Sequence, residues 1–265
     1  MSNLYENKNY LIEMPYIVST PIYEYDISKA NINVLYNKGV LSFEEYNRLK
    51  NMSRMSRQIS IGLMEKENPD IITVLANGII EFKKRFFEAN NIQDNEVLSI
   101  KNDAVFVMGR LMNITKFENI EFALKNSYSL YMKIFNIEIY YRSDQINGCD
   151  IIDIKGINDK SLELHQNGML ILLSDVFEKI DCGNLVDAIN VFNDYYNQYI
   201  NRVLPIEYYR TFDSNSSYLV NMMGTLYMVP YVKDINMLDI SYNLNFLREL
   251  YGYLSYMYFS ANKRV

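Results

Sequence analysis

The chain has 265 residues, of which 49% are hydrophobic and 22% charged, enough to bury a substantial core in one large or two small domains. Its net charge of −6 counts against a protein that wraps duplex DNA alone, because such proteins carry a basic face. No run of about 18 apolar residues occurs and the N-terminus lacks the pattern of a signal peptide, so neither a transmembrane helix nor membrane binding is expected.

Cysteine and histidine are scarce, which limits the chemistry available. Cys149 and Cys182 are too few for a disulfide framework and do not form a CxxC zinc motif, which favours a cytoplasmic location. The single histidine, His165, excludes any mechanism that needs two, and no Ser-His-Asp or Cys-His arrangement is suggested. Neither common glycine-rich phosphate-binding loop is present.

The first 91 residues are predicted to form one strand and three helices. The strand covers residues 15–27 and leads into a helical turn. A capping box at Ser42 opens a helix that continues to about Met52. A basic helix follows, and Pro69 then opens a third helix that ends near Asn90.

The rest of the chain is predicted to begin with strands and to end with helices. A strand pair covers residues 96–108, whereas residues 120–134 are ambiguous between helix and loop. Two more strands are joined at Asn147-Gly148, and helices are expected over about 160–179, 184–202 and 238–259. Strands that precede helices in this way predict an α+β fold. We expect an α+β domain over residues 1–160 and a helical region over residues 161–265.

Two aspartates lie at the edges of apolar, strand-like segments. Asp26 ends the first strand, and Asp103 lies in an Asn-Asp turn between the strands of the predicted hairpin. If these strands pair, the two carboxylates can converge. Such a pair suits Mg²⁺, which prefers oxygen ligands and bridges to phosphates. Two-metal nucleotidyl chemistry uses sites of this kind, with ions about 3.5–4 Å apart.

The order of these elements resembles the palm domain of template-dependent nucleic-acid polymerases, especially the family B DNA polymerases. The segment Asp26-Ile27-Ser28 is similar to their first motif, an aspartate at a strand end followed by a turn into a helix. Residues 54–62 have the spacing of their fingers-helix motif. Residues 100–106 are similar to the hairpin that carries their second metal-binding aspartate. The resemblance covers roughly residues 22–160.

This resemblance implies an antiparallel palm-like sheet, short fingers over about residues 42–90, and a thumb-like or docking region after residue 160. It implies Mg²⁺-dependent nucleotidyl transfer, by a small palm protein or by one polypeptide of a divided DNA polymerase. The expected partners are a nucleoside triphosphate, a primer-template and further protein subunits that bind the Tyr-rich C-terminal helices. The implied site residues are Asp26 and Asp103 as catalytic residues and metal ligands, with the carbonyl of Ile27; Asn31, Arg54, Arg57, Gln58, Gly62 and Lys66 for the nucleotide; and Lys125, Tyr128 and Lys155 for the primer-template.

The chain also departs from the polymerase pattern. The residues that flank Asp103 are Asn102 and Ala104, so the site is short of one carboxylate. The fingers are short as well. An alternative function therefore stays open: an inactive palm, or an unrelated viral assembly or regulatory factor that acts through protein–protein contacts. If the protein is viral, its location is the host cytoplasm.

The candidate residues have structural interpretations too. Asp26 could cap the helix that follows it, and Asp103 could be a turn residue alone. Arg54 and Arg57 could form a solvated helix face. Residues 83–85 are expected to be solvated surface, and the C-terminal tyrosines are expected to be core and interface residues.

Overall fold

The computed structural model describes residues 8–9, 15–143, 150–155, 168–209, 218–222, 225–229 and 237–262. It confirms an α+β fold, with an antiparallel sheet and a mainly helical C-terminal region. Clustering of contacts divides the chain into two compact units, Met1–Glu13 with Thr20–Ser127 and Met14–Ser19 with Tyr128–Val265. Within the described ranges, no helix is both long and apolar enough to cross a membrane.

The strands and helices are numbered here in chain order. The strands are β1 (Lys8–Asn9), β2 (Tyr16–Ile27), β3 (Val97–Lys101), β4 (Ala104–Met108), β5 (Lys116–Phe117), β6 (Ile120–Ile134), β7 (Ile137–Arg142), β8 (Ile151–Lys155), β9 (Tyr218–Met222) and β10 (Thr225–Val229). The helices are α1 (Ala30–Asn37), α2 (Phe43–Lys50), α3 (Arg54–Glu67), α4 (Asp70–Asn90), α5 (Gly168–Asp181), α6 (Leu185–Ile200) and α7 (Met237–Asn262).

The first unit is built on strands in the order β1-β3-β4-β2-β6. One side of β2 joins an aromatic core, in which Phe86 of α4 stacks on Phe122 of β6 at 4.3 Å and lies 5.4 Å from Tyr25. Because side chains alternate along a strand, Glu24 and Asp26 lie on the face of β2 opposite Tyr25. The core therefore determines which way these two carboxylates point.

Helices α1 and α4 pack closely at Gly78, which is buried in α4. A Cβ atom at this position would lie 2.3 Å from Cγ1 of Val34. The valine side chain is β-branched and fully buried, so it has little freedom to move. The contact therefore requires glycine.

We expect Gly78→Ala to lower the free energy of unfolding by about 1–3 kcal/mol, the typical cost of overpacking. Gly62→Ala is the matched control, because within the described residues no atom lies within 4 Å of a Cβ built at Gly62 of α3. This control should raise stability by up to about 1 kcal/mol through helix propensity. Urea denaturation of both variants measures the difference, and equal effects would contradict the close packing.

The second unit has its own core. Strand β7 pairs with β6 and with β8, and α5 packs against this sheet through Val176 and Phe177. Helix α7 contributes Leu250 and Leu254 to the same core. These strands pack with the C-terminal helices, so the compact units differ from the predicted domains 1–160 and 161–265.

Most of the predicted elements are confirmed. The Ser42 capping box opens α2, with the Ser42 and Glu45 side chains each bonded to the backbone N–H of the other residue. The other strand, hairpin and helix bounds agree to within a few residues. The described part of α5 begins at Gly168, and its predicted start near Lys160, like the predicted junction at Asn147-Gly148, lies outside the described residues. One interpretation was wrong: residues 120–134 form the strand β6. The hairpin of β9 and β10 was not predicted.

Candidate functional site

Asp26 and Asp103 lie beside each other in the first unit. The antiparallel register pairs Asp26 of β2 with Ala104 of β4, next to the hairpin turn that holds Asp103. The N–H of Ile27 donates to the carbonyl of Asp103 at 3.3 Å, which ties the turn to the end of β2. The convergence expected from the sequence is therefore present.

The carboxyl group of Asp26 titrates at unusually high pH. Burial, then the negative charge of Asp103 and a hydrogen bond with it, raise the pKa of Asp26 to about 6, while Lys125 opposes the shift. Like charges close together disfavour ionisation of both groups. A carboxyl that is perturbed in this way and lines a cleft is a candidate functional group.

Polar contacts hold the two chain segments in place. The Lys83 ammonium, only 2% exposed, donates to the Asn102 carbonyl at 2.8 Å and so fixes the hairpin turn. Asn33 donates to the Ser28 carbonyl at 2.6 Å and accepts from the Tyr46 hydroxyl at 2.9 Å. The prediction that Lys83 is solvated surface was wrong, because a turn that is distant along the chain covers it.

The structural interpretation of Asp26 as a helix cap was also wrong. The residue before α1 is Lys29, with a left-handed backbone at φ 48°, and the described contacts include no side-chain cap for this helix. Asp103 does occupy the turn, as its structural interpretation expected. Because Asp103 also lies beside Asp26, it is a candidate site residue as well as a turn residue.

The two aspartates line one side of a cleft of about 260 Å³. Basic side chains also line it: Lys29 before α1, Arg54 and Arg57 in the first turns of α3, and Lys125 in β6. Within the described parts of the chain, Asp26 and Asp103 form no salt bridge with these or other cations. Asp26 and Asp103 therefore share the cleft with nearby cations without a direct salt bridge to them, an arrangement suited to a cation beside a phosphate. Its full lining is Asp26, Ile27, Lys29, Ala30, Asn31, Ile32, Arg54, Arg57, Gln58, Ile61, Asp103 and Lys125.

Glu24 is a carboxylate that the sequence reasoning missed. It is 1% exposed, and it accepts hydrogen bonds from Lys125 at 3.2 Å and from Asn126 at 2.8 Å. Its negative charge contributes to the raised pKa of Asp26. The signal was its position two residues before Asp26, on the same face of one strand. Glu24 anchors Lys125, which thereby reaches the cleft.

The oxygen atoms at the site fit a magnesium ion. Oδ1 of Asp26 is buried and, within the described residues, has no hydrogen-bond partner. The described residues contain no group of three or more His, Cys, Asp or Glu side chains that could hold a metal. Two carboxylates still suffice for Mg²⁺, which usually keeps several waters and binds substrate phosphates.

The other predicted residues divide between the two units. Asn31, Gln58 and Ile27 line the cleft, whereas Gly62 and Lys66 lie further along α3 and are not among its described lining. Tyr128 and Lys155 belong to the second unit, where both contact Asp153, at 2.8 and 2.7 Å. His165 and Cys149 lie outside the described residues.

Comparison with models of protein families shows the family to which this chain is related. The model of a family described as "Bacteriophage PBS1 gene 130 protein" matches residues 1–254. The chain belongs to this family. No curated protein matches it. The description of the phage family names a gene product and no activity.

Proposed function

We propose that this member of the phage family is a Mg²⁺-dependent nucleotidyltransferase with a polymerase-like palm, acting alone or as one polypeptide of a divided DNA polymerase. The observation that supports this best is the pair Asp26 and Asp103: burial and the adjacent Asp103 raise the pKa of Asp26, and the pair shares one cleft with two arginines. The substrates are a nucleoside triphosphate and a primer-template, and the location is the host cytoplasm.

In this proposal each side of the cleft has a separate task. Asp26 and Asp103 hold the cation, with the Ile27 carbonyl as a further oxygen ligand. When bound, Mg²⁺ stabilises the attacking and leaving oxygens of an in-line displacement. Arg54 and Arg57 bind the triphosphate, because the guanidinium fork contacts two oxygens at once. Both lie in the first turns of α3, where backbone N–H groups also favour an anion.

The remaining assignments extend the proposal along the chain. Asn31, Gln58, Gly62 and Lys66 bind the nucleotide. Lys125 contacts the primer from its position in the cleft. Residues 1–160 act as the palm with short fingers, and residues 161–265 act as a thumb or docking region.

A primer-extension assay with Mg²⁺ tests the proposal. Wild-type protein should extend the primer, and Asp26→Ala and Asp103→Ala should each reduce incorporation to the level without protein. Asp94→Ala, an exposed carboxylate outside the cleft lining, should be as active as wild type. Equal incorporation by all four proteins would contradict the proposal, and incorporation by none would contradict an enzyme that acts alone.

A second candidate function is an assembly factor without catalysis. The exposed aromatic side chains of α7 favour it, since Tyr256 and Phe259 are 64% and 67% exposed. This candidate predicts a stable complex through the C-terminal helices and no Mg²⁺-dependent activity. Calorimetry that detects binding of both Mg²⁺ and nucleotide to the cleft would count against it.

A further inference from the structure

A long groove runs between α6 and α7 in the second unit. Three adjoining cavities form it, and they share lining residues: Leu244 lines the first and second, and Tyr251 lines the second and third. Together the cavities follow α7 from Ile240 to Phe259. At a rise of about 1.5 Å per residue, this stretch is roughly 28 Å long.

Apolar side chains dominate the surface of this groove although they are exposed to solvent. The exposed apolar residues that line it are Val186, Ile200, Leu244, Tyr251, Tyr258 and Phe259. A contiguous apolar surface of this kind marks an interaction site more often than isolated exposed side chains do. The length and the two helical walls suit a partner helix of about five turns.

The charged side chains of the groove indicate the charge of the partner that it would bind. The charged side chains among its described lining residues are two arginines, Arg202 near one end and Arg248 in the middle. Neither forms an ion pair within the described part of the chain. This local positive charge stands out in a protein whose net charge is −6.

We propose that the α6–α7 groove binds an amphipathic helix of a partner protein, with an apolar face against the groove and acidic residues along its flanks. The apolar face would cover Leu244 and Tyr251, and the acidic flank would pair with Arg202 and Arg248. This inference deepens the proposed docking role of the C-terminal helices and does not depend on nucleotidyl transfer.

Two designed peptides test this proposal on the full-length protein. Each has 19 residues and the same leucine face; one carries glutamates on its flanks and its twin carries lysines. Fluorescence anisotropy should show that the glutamate peptide binds at least tenfold more tightly, with a preference that weakens as salt screens the charges. The net charge of the protein would favour the lysine peptide, so non-specific attraction predicts the opposite result.

Variants assign the binding to the groove. Arg248→Glu should remove the preference for the glutamate peptide, whereas the control Arg48→Glu, an exposed arginine of α2, should keep it. Tyr251→Glu should weaken binding of the glutamate peptide at least tenfold. Both groove residues are exposed, so thermal melting by circular dichroism should show unchanged folding.

Several outcomes would overturn the proposal. These are equal affinity for the two peptides, no binding of either, or a preference that survives Arg248→Glu. Sedimentation velocity adds a further test: self-association that Tyr251→Glu abolishes would assign the groove to a second copy of this chain. None of these results bears on primer extension, so this proposal and the catalytic one can fail separately.

Discussion

Replacing Lys125 with methionine should lower the free energy of unfolding by about 1–3 kcal/mol, the cost expected when a buried acceptor loses one of its donors. Glu24 is 1% exposed, and the Lys125 ammonium lies 3.2 Å from its carboxylate. Without that ammonium, the buried carboxylate loses this ion pair, while the hydrogen bond from Asn126 at 2.8 Å remains. Methionine preserves most of the packing of the lysine stem, so the loss reports on the charge. Urea denaturation at pH 7 measures it.

The converse replacement, Glu24→Gln, should cost only about 1 kcal/mol, the typical worth of one hydrogen bond. Half of the Lys125 side chain is exposed, so its charge can be hydrated when the carboxylate is gone. The double variant with both changes should be more stable than Lys125→Met alone, because it no longer contains the buried Glu24 carboxylate that Lys125 neutralises. Additive losses in this double-mutant cycle would contradict an ion pair between the two side chains.

The convergence of Asp26 and Asp103 could be predicted because it depends on local patterns. Each aspartate ends or joins an apolar strand, and an Asn-Asp turn connects two short strands directly. Helix α2 could be predicted for the same reason, since its capping box involves residues only three apart. Signals confined to a few consecutive residues are visible in one sequence.

Glu24 could not be recognised as a buried anchor because its partners are distant along the chain. Lys125 and Asn126 follow it by 101 and 102 residues. The same polar residues made β6 difficult to predict. Buried Ile120 and Phe122 alternate as in a strand, but the polar run from Lys125 to Ser127 interrupts this pattern. The polar residues that made this strand hard to recognise include Lys125, whose ammonium group lies in the cleft. Lys83 was missed similarly, since its carbonyl partner lies 19 residues away.

The raised pKa of Asp26 predicts that the carboxylate pair destabilises the protein above pH 6. Its pKa in the folded protein is about 6, against an ordinary value of 3.8. Between these values the folded state binds more protons than the unfolded state, so stability falls as pH rises from about 4 to 6. The full shift corresponds to about 3 kcal/mol, and solvent screening of the partly buried side chain reduces this to about 1–2 kcal/mol.

Asp26→Asn should therefore be more stable than wild type by about 1–2 kcal/mol at pH 8 and nearly equal to it at pH 4. Denaturation across pH 4–8, with Asp94→Asn as the exposed control, measures the difference. The contributions of titrating groups distant from Asp26 cancel when each variant is compared with wild type at the same pH. A variant that is less stable than wild type at pH 8 would show that the carboxylate of Asp26 stabilises the fold, which contradicts a crowded pair.

In the presence of Mg²⁺, wild type should become more stable than Asp26→Asn at pH 8. A ligand that binds only the folded state stabilises it by about 2.7 kcal/mol at 100 times its dissociation constant, which exceeds the cost of the carboxylate pair. Wild type should gain this stability at pH 8 and progressively lose it below pH 6, as Asp26 takes up a proton, whereas Asp26→Asn should gain little at any pH. Two adjacent carboxylates that cost stability, in a cleft also lined by Arg54 and Arg57, support the proposed cation and phosphate site, because proteins commonly give up stability at functional sites. If Mg²⁺ stabilises both proteins equally, the pair is not where the cation binds.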